Sequence, residues 1–65
     1  MNKKTLYTEV PAIMTRKELQ EILGISKGTA IQLLQENLIE SFMIKGRYRI
    51  TKEALYEFIE NSMYA

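Results

Sequence analysis

Two adjacent helix boundaries, at Gly24 and Ser26, constrain this chain more than any other feature of its sequence. Glycine readily takes the left-handed conformation that ends a helix, and serine is among the best residues for starting one. Apolar residues recur at helical spacing on both sides of these boundaries, so the pattern predicts two short helices joined by a tight turn. These apolar residues are Leu19, Ile22 and Leu23 in the first helix and Ala30, Leu33 and Leu34 in the second.

The first helix has clear start signals. Thr15 can accept a hydrogen bond from the Glu18 amide, and the Glu18 side chain can reach back to the Thr15 amide, which makes a capping box. Met14 and Leu19 occupy the positions of a hydrophobic staple, in which one apolar residue before the helix packs on another inside it. We therefore expect this helix to begin at Thr15 and end at Gly24.

The second helix is expected to run from Ser26 to about Glu36. Asn37 is well suited to a left-handed cap, and Leu38 is then expected to pack back on the end of the helix. Gly28 lies in the first turn and costs roughly 1 kcal/mol relative to alanine. Either that cost is tolerated near a cap, or Gly28 marks a point where the backbone must approach another molecule closely.

Residues 39–50 change from a helical period to the two-residue period of strands. The alternation continues on both sides of Gly46, which predicts a β-hairpin. Directly opposite residues share a face, so a three-residue loop that pairs Ile44 with Tyr48 would keep one face apolar. A two-residue loop would mix apolar and charged residues on both faces. We therefore predict an odd-length loop, residues 45–47, or an equivalent bulge.

The two ends of the chain differ in their patterns. Thr51 can cap a third helix, expected from Lys52 to about Ser62, with residues 63–65 fraying. Its apolar face is formed by Ala54, Leu55, Phe58 and Ile59. Residues 1–12 have no helical period, and Pro11 ends any regular element there. We predict a flexible N-terminal arm over residues 1–12 and a folded domain over residues 13–65.

Composition excludes several classes of function. The chain has 65 residues, no cysteine and no histidine, so the commonest general base, the thiolate nucleophile and the usual zinc ligands are all absent. No glycine-rich phosphate loop is present, and a chain of this size has little room for a substrate pocket. We expect no catalysis, no cofactor and no metal site. No apolar run approaches the ~20 residues needed to span a bilayer, and the N-terminus does not resemble a signal peptide, so a cytoplasmic protein is expected.

The outer face of the second helix is the first candidate binding surface. Glutamine can bond adenine bidentately in the major groove, lysine can reach guanine or phosphate, and isoleucine can meet a thymine methyl. The helix start also offers free amides to a phosphate. Ordinary solvated residues on an amphipathic helix are the alternative for any single position. The candidate residues are Ser26, Lys27, Gly28, Thr29, Ile31, Gln32 and Gln35.

The hairpin is the second candidate surface. The segment from Lys45 to Lys52 contains four basic residues and no acid, whereas the segment from Glu53 to Glu60 contains three acids and no base. This segregation favours one positive and one negative surface. Arginines at a hairpin tip can reach phosphates or a narrow minor groove; the alternative is a charged edge that prevents aggregation. The candidate residues here are Lys45, Gly46, Arg47 and Arg49.

The run IMTRKELQEILGISKGTAIQLLQENLIESFMIKGRYRITKEALYEFIE covers about three-quarters of the chain and resembles the excisionase-like helix-turn-helix proteins, which are related to the MerR-type domain. The matching pieces are Thr15, the turn Leu23-Gly24-Ile25-Ser26, the pair Thr29-Ala30, the hairpin from Phe42 to Ile50, and the helix residues Ala54, Leu55 and Phe58. The resemblance implies an α+β fold, a small winged helix-turn-helix with three helices and a β-hairpin wing between helices 2 and 3.

The resemblance also implies a function. A protein of this family binds double-stranded DNA, with the second helix in the major groove and the wing in the neighbouring minor groove. A chain that ends after the third helix would most resemble a recombination directionality factor, which bends DNA near an attachment site and helps an integrase excise a mobile element. Relatives often carry an arginine or an aromatic residue where this chain has Ile31 and Gln32, and a basic residue in place of Met43. Affinity is therefore expected to depend on several copies binding side by side.

Two other functions remain open at this point. A small transcriptional regulator of a phage, plasmid or mobile element would use the same DNA-binding surface. A protein-interaction module would instead bind a partner through Ile31, Met43 and Tyr56, and it would have no affinity for DNA. A salt series separates the last hypothesis from the other two, because DNA binding through phosphate contacts weakens steeply as salt rises.

Overall fold

The structure, a computed structural model, describes residues 10–64 of the chain, with the side chains of residues 10–63. The elements in order are β1 (Ile13–Thr15), α1 (Arg16–Leu23), α2 (Lys27–Gln35), β2 (Phe42–Ile44), β3 (Arg47–Thr51) and α3 (Lys52–Tyr64). The strands form one antiparallel sheet in the order β1-β3-β2. The predicted α+β winged helix-turn-helix, with a hairpin between the second and third helices, is confirmed.

Helix α1 begins and ends as the sequence predicts. The Thr15 hydroxyl accepts from the Glu18 amide at 3.1 Å, and the Thr15 amide donates to the Glu18 carboxylate at 2.8 Å. Gly24 ends the helix in the left-handed region, with φ of 66°. Met14 and Leu19, the predicted staple, are both fully buried. The turn between α1 and α2 is therefore defined by hydrogen bonds at both ends.

Helix α2 is capped at both ends, but one predicted contact is wrong. Asn37 adopts the left-handed conformation with φ of 60°, and the Leu38 amide donates to the Leu33 carbonyl at 2.9 Å. The Leu38 side chain, however, is 56% exposed, whereas that of Ile39 is 1% exposed. The Leu38 amide is held by the cap while the backbone turns, which brings the following side chain over the core instead.

Strand β1 is an element that the sequence pattern did not reveal. It pairs with β3 through Met14 opposite Ile50 and Thr15 opposite Arg49. Just before it, the Ala12 carbonyl accepts from the Lys52 amide at 2.9 Å, and Val10 is buried in the core. The predicted flexible arm covers residues 1–12, of which residues 1–9 lie outside the described part of the chain. Residues 10–12 pack against the domain.

The predicted hairpin exists, but the predicted odd-length loop is wrong. Ile44 is directly opposite Arg47, and a two-residue turn of Lys45 and Gly46 joins the strands. Both turn residues have positive φ, 51° and 76°, as a type I′ turn requires. This turn matches the right-handed twist of paired strands, whereas longer loops need a bulge. The turn geometry therefore determines the register. As a result, apolar and charged side chains share a face near the hairpin tip.

Helix α3 covers the remaining side of the core. The Thr51 hydroxyl accepts from the Ala54 amide at 3.1 Å, which confirms the predicted cap. The helix continues to Tyr64, two residues beyond the expected end at about Ser62, and Ala65 lies outside the described residues. No helix in residues 10–64 is long and apolar enough to cross a membrane. The core cluster consists of Val10, Met14, Leu19, Leu34, Ile39, Ile50, Ala54 and Leu55.

Candidate nucleic-acid interface

The face of α2 that turns away from the core is open to solvent. Ala30 and Leu34 are buried, and Ile31 is half-buried at the edge of the exposed face. The remaining predicted residues are all exposed: Ser26, Lys27, Gly28, Thr29, Gln32 and Gln35. The structure therefore presents the predicted set on one helix, with Ile31 contributing only part of its side chain.

The first turn of α2 combines a closed cap with an unobstructed backbone. The Ser26 hydroxyl accepts from the Thr29 amide at 3.2 Å and donates to the Thr29 hydroxyl at 3.0 Å. Both of its hydrogen-bonding roles are thus used within the cap, which leaves it less free for a phosphate than the sequence implied. A Cβ at Gly28 would meet nothing within 4 Å. The rest of the domain gives no packing reason for glycine at that position.

A carboxylate lies beside one of the predicted reading residues. The Gln32 side-chain amide donates to a carboxylate oxygen of Glu36 at 3.1 Å on the exposed face of α2. This bond engages one of the two N–H donors of the Gln32 amide, which leaves the second N–H and the side-chain oxygen for other partners. Glu36 was not among the predicted site residues, although a glutamine and a glutamate four residues apart on a helix are a recognisable pair.

The hairpin tip exposes most of its predicted residues. Lys45, Gly46 and Arg47 are exposed, and Arg49 is half-buried further down β3. The Arg49 guanidinium donates through Nη1 to the Tyr48 carbonyl at 2.9 Å, so its position is partly fixed. The register places Arg47 and Arg49 on the same face of the sheet.

That face of the sheet also carries apolar side chains. Phe42 is opposite Arg49, Ile44 is opposite Arg47, and the two apolar side chains are 40% and 48% exposed. The mixed face is a direct result of the two-residue turn. Both arginines therefore have apolar residues opposite them on β2. No carboxylate on β2 is paired with either arginine to balance its positive charge.

A cleft of about 450 Å³ lies between the first turn of α1 and the hairpin. It joins two cations of the helix start, Arg16 and Lys17, to two arginines of the wing. The prediction missed Arg16 and Lys17, because in a sequence they resemble ordinary solvated helix residues. Among the described residues, its lining contains four cations and no carboxylate: Thr15, Arg16, Lys17, Gly46, Arg47, Tyr48 and Arg49.

Three of the seven acidic residues in residues 10–64 lie on α3. Glu53, Glu57 and Glu60 are exposed on α3. A smaller cleft of about 210 Å³ between α3 and the segment after α2 is lined in part by Glu40 and Glu57. Within residues 10–64, no group of three or more acidic, histidine or cysteine side chains could hold a metal ion. The wing and the cleft lining therefore carry cations without acids, whereas α3 carries three glutamates after Lys52, and α1 carries Glu18 and Glu21 beside its two cations.

Comparison with known proteins identifies the family. A family model described as a helix-turn-helix domain matches residues 13–63, which include all three strands and both helices of the motif. The chain belongs to the helix-turn-helix domain family. No curated protein and no solved structure gives a significant match.

Membership of the helix-turn-helix family indicates DNA binding and gives the elements their places. In such a domain the second helix of the motif is the one presented to the major groove. In this chain that helix is α2, whose exposed face is described above. The hairpin that follows it occupies the place of a wing. The matched residues include both α2 and the hairpin, the two elements that carry the predicted binding residues.

Proposed function

We propose that this helix-turn-helix domain is an excisionase that binds and bends DNA near an attachment site and promotes integrase-mediated excision of a mobile element. It acts without catalysis, cofactor or metal. The observation that carries the proposal is the pairing of an exposed α2 face, on which Lys27 is the one cation among the predicted residues, with a cationic wing of Lys45, Arg47 and Arg49. Positive charge is therefore concentrated away from the reading helix, as expected of a protein that binds mainly the DNA backbone.

In this proposal α2 reads the major groove through a few polar side chains. Gln35 is exposed on α2 and can bond adenine bidentately, and Lys27 in the first turn can reach guanine or phosphate. Gln32, with one of its two amide N–H groups held by Glu36, can offer its side-chain oxygen to the exocyclic amino group of adenine or cytosine. The open backbone at Gly28 allows the helix start to come close to the DNA.

The wing supplies the contact that favours bending. Arg47 at the hairpin tip is exposed and enters the minor groove, whose negative potential increases as the groove narrows. Bending 20–30 bp by 40–90° costs of order 1–6 kcal/mol. Several copies bound side by side offset that cost more readily than one, so the proposal includes cooperative self-association on DNA and an integrase as partner.

Footprinting and bending measurements on the flanks of the encoding element test this function. Repeated protected half-sites, each accompanied by a bend, are the expected result. A single protected operator overlapping a promoter, with no bend, would instead identify a small transcriptional regulator. An absence of duplex binding even at low salt would leave the protein-interaction module; of its three predicted contact residues, Ile31, Met43 and Tyr56, Met43 is the most exposed, at 55%.

A further inference from the structure

We infer that the cleft between α1 and the hairpin is a clamp for DNA backbone phosphates, in which Arg16 and Lys17 act together with Arg47 and Arg49. This inference rests on the proposed DNA binding and adds a second, sequence-independent contact to it. It assigns a binding role to Arg16 and Lys17, which lie in neither the reading face of α2 nor the wing.

The composition of the cleft selects an anionic ligand. Four cationic side chains converge on it from two separate elements, the helix start and the hairpin, and the described lining contains no acid. Its polar neutral groups come from Thr15 and Tyr48, which cannot neutralise four charges. Like charges held close together repel, and a ligand that carries negative charge relieves that repulsion.

The position of Arg16 and Lys17 on α1 argues for the same conclusion. They are the first two residues of the helix, where the positive end of the helix dipole favours acidic rather than basic side chains. Glu18 at the third position is consumed by the capping box with Thr15. Two cations that work against local helix stability, and that line the same cleft as two arginines, are better explained by a ligand than by folding.

The arginines of the cleft are already oriented by neutral partners. The Arg16 guanidinium donates to the Gln20 side-chain oxygen, and the Arg49 guanidinium donates to the Tyr48 carbonyl. Each retains further N–H donors and its full charge, because a neutral acceptor does not compensate it. Such arginines lose less side-chain entropy on meeting a phosphate than freely rotating ones do.

The shape of the cleft fits a polymer better than a small anion. A volume of about 450 Å³ exceeds what one phosphate fills, and the cations come from two separate elements, α1 and β3. A nucleic-acid strand presents successive phosphates along its length, so neighbouring phosphates can meet the helix wall and the hairpin wall. The cleft also includes Arg47, which places it beside the groove that the wing enters.

Charge substitutions at the helix wall test the clamp. Lys17→Glu is the sharpest variant, because an acid in the first turn favours the helix and should leave the thermal midpoint unchanged or raised. Arg16→Gln and Lys17→Gln remove one charge each. Lys52→Gln is the matched control, since Lys52 begins α3 and does not line the cleft. Fluorescence anisotropy on a nonspecific duplex, over a series of salt concentrations, gives affinity and salt slope together.

We expect each neutral cleft variant to lower the salt slope by about 1 and to weaken binding about eightfold at 0.1 M salt, which is the counterion-release term for one phosphate. Lys17→Glu should weaken binding further. The clamp would be overturned if the salt slopes of the cleft variants were unchanged, or if Lys52→Gln lost as much duplex affinity as they did. In either case, duplex binding by the wild-type protein would still support the proposed function. A wild-type protein without duplex affinity would remove both. Saturable binding of inorganic phosphate that depends on Arg16, without any duplex effect, would assign the cleft to a free anion and also overturn the clamp.

Discussion

Ile44 lies directly opposite Arg47 across the hairpin, at the pair of residues that closes the turn. This pairing places a half-exposed apolar side chain beside an exposed cation. The two residues share one face of the hairpin, so that face cannot be entirely apolar. The reason is the turn itself, in which Lys45 and Gly46 both take positive φ. Lysine is a poor residue for that conformation, because its Cβ crowds the following carbonyl.

The turn strain at Lys45 predicts a stabilising substitution. Lys45→Asn should raise the free energy of unfolding by about 0.5–1 kcal/mol, because asparagine tolerates positive φ and is preferred in this turn. Urea denaturation measures the change. Lys45→Gln removes the same charge without the conformational preference, so it should give no gain. An equal gain in both variants would point to charge rather than to turn geometry.

Replacing Gly28 by alanine should raise the stability of the fold and lower its affinity for DNA. Gly28→Ala should stabilise the fold by about 0.5–1 kcal/mol, since the position is helical and an added Cβ meets nothing within 4 Å. The same methyl group should weaken specific DNA binding if the helix start approaches the DNA closely. Thermal melting and anisotropy on the footprinted site measure the two effects. Gly24→Ala is the contrasting variant: its φ of 66° makes the substitution destabilising.

Glu36 predicts a gain of DNA affinity on mutation. Its carboxylate is exposed at the end of α2, where it would repel DNA phosphates in the proposed complex. Glu36→Gln should strengthen binding to nonspecific duplex severalfold at low salt, and the gain should shrink as salt rises. Glu57→Gln on α3 removes an equivalent charge from the acidic side of the domain, and it should change affinity less. Comparable gains in the two variants would show that only net charge matters.

The adjacent residues Leu38 and Ile39 should differ strongly in how much their replacement by alanine lowers the free energy of unfolding. Ile39→Ala should lower the free energy of unfolding by about 2–5 kcal/mol, because it removes a fully buried side chain from the core. In a small domain with marginal stability, this would unfold much of the population. Leu38→Ala should change stability by within about 0.5 kcal/mol. A large loss in Leu38→Ala, measured by urea denaturation, would contradict the observed direction of the chain after α2.

The sequence predicted most reliably the features that local chemistry determines. The caps at Thr15, Gly24, Ser26 and Thr51 depend on side chains within a few residues, and each formed as expected. Strand β1 was missed because Ile13–Thr15 is too short to show alternation and acquires its structure only from β3. The predicted hairpin register was wrong because it assumed that one face of the hairpin must be entirely apolar. The preference of paired strands for a two-residue type I′ turn outweighed that requirement.

The candidate site divides in a similar way. Exposure on α2 follows from helical periodicity, so the sequence could separate buried Ala30 and Leu34 from the exposed residues around them. The cleft could not be predicted, since it brings Arg16 and Lys17 next to residues 46–49 through the pairing of β1 with β3. The contact of Gln32 with Glu36 depends on side-chain rotamers, which a pattern of residues does not fix.

Strand β3 is supported on its two sides by different partners, and only Arg49 is paired on both. From Arg49 to Thr51 the strand is held by β1, whereas from Arg49 back to Arg47 it is held by β2 alone. The hairpin is therefore a short lever anchored at Arg49, with a free length of roughly 7 Å, two residues of strand rise. Tilting of the hairpin about Arg49 would break none of the pairing between β1 and β3 beyond that residue, so the sheet alone does not fix the position of the tip.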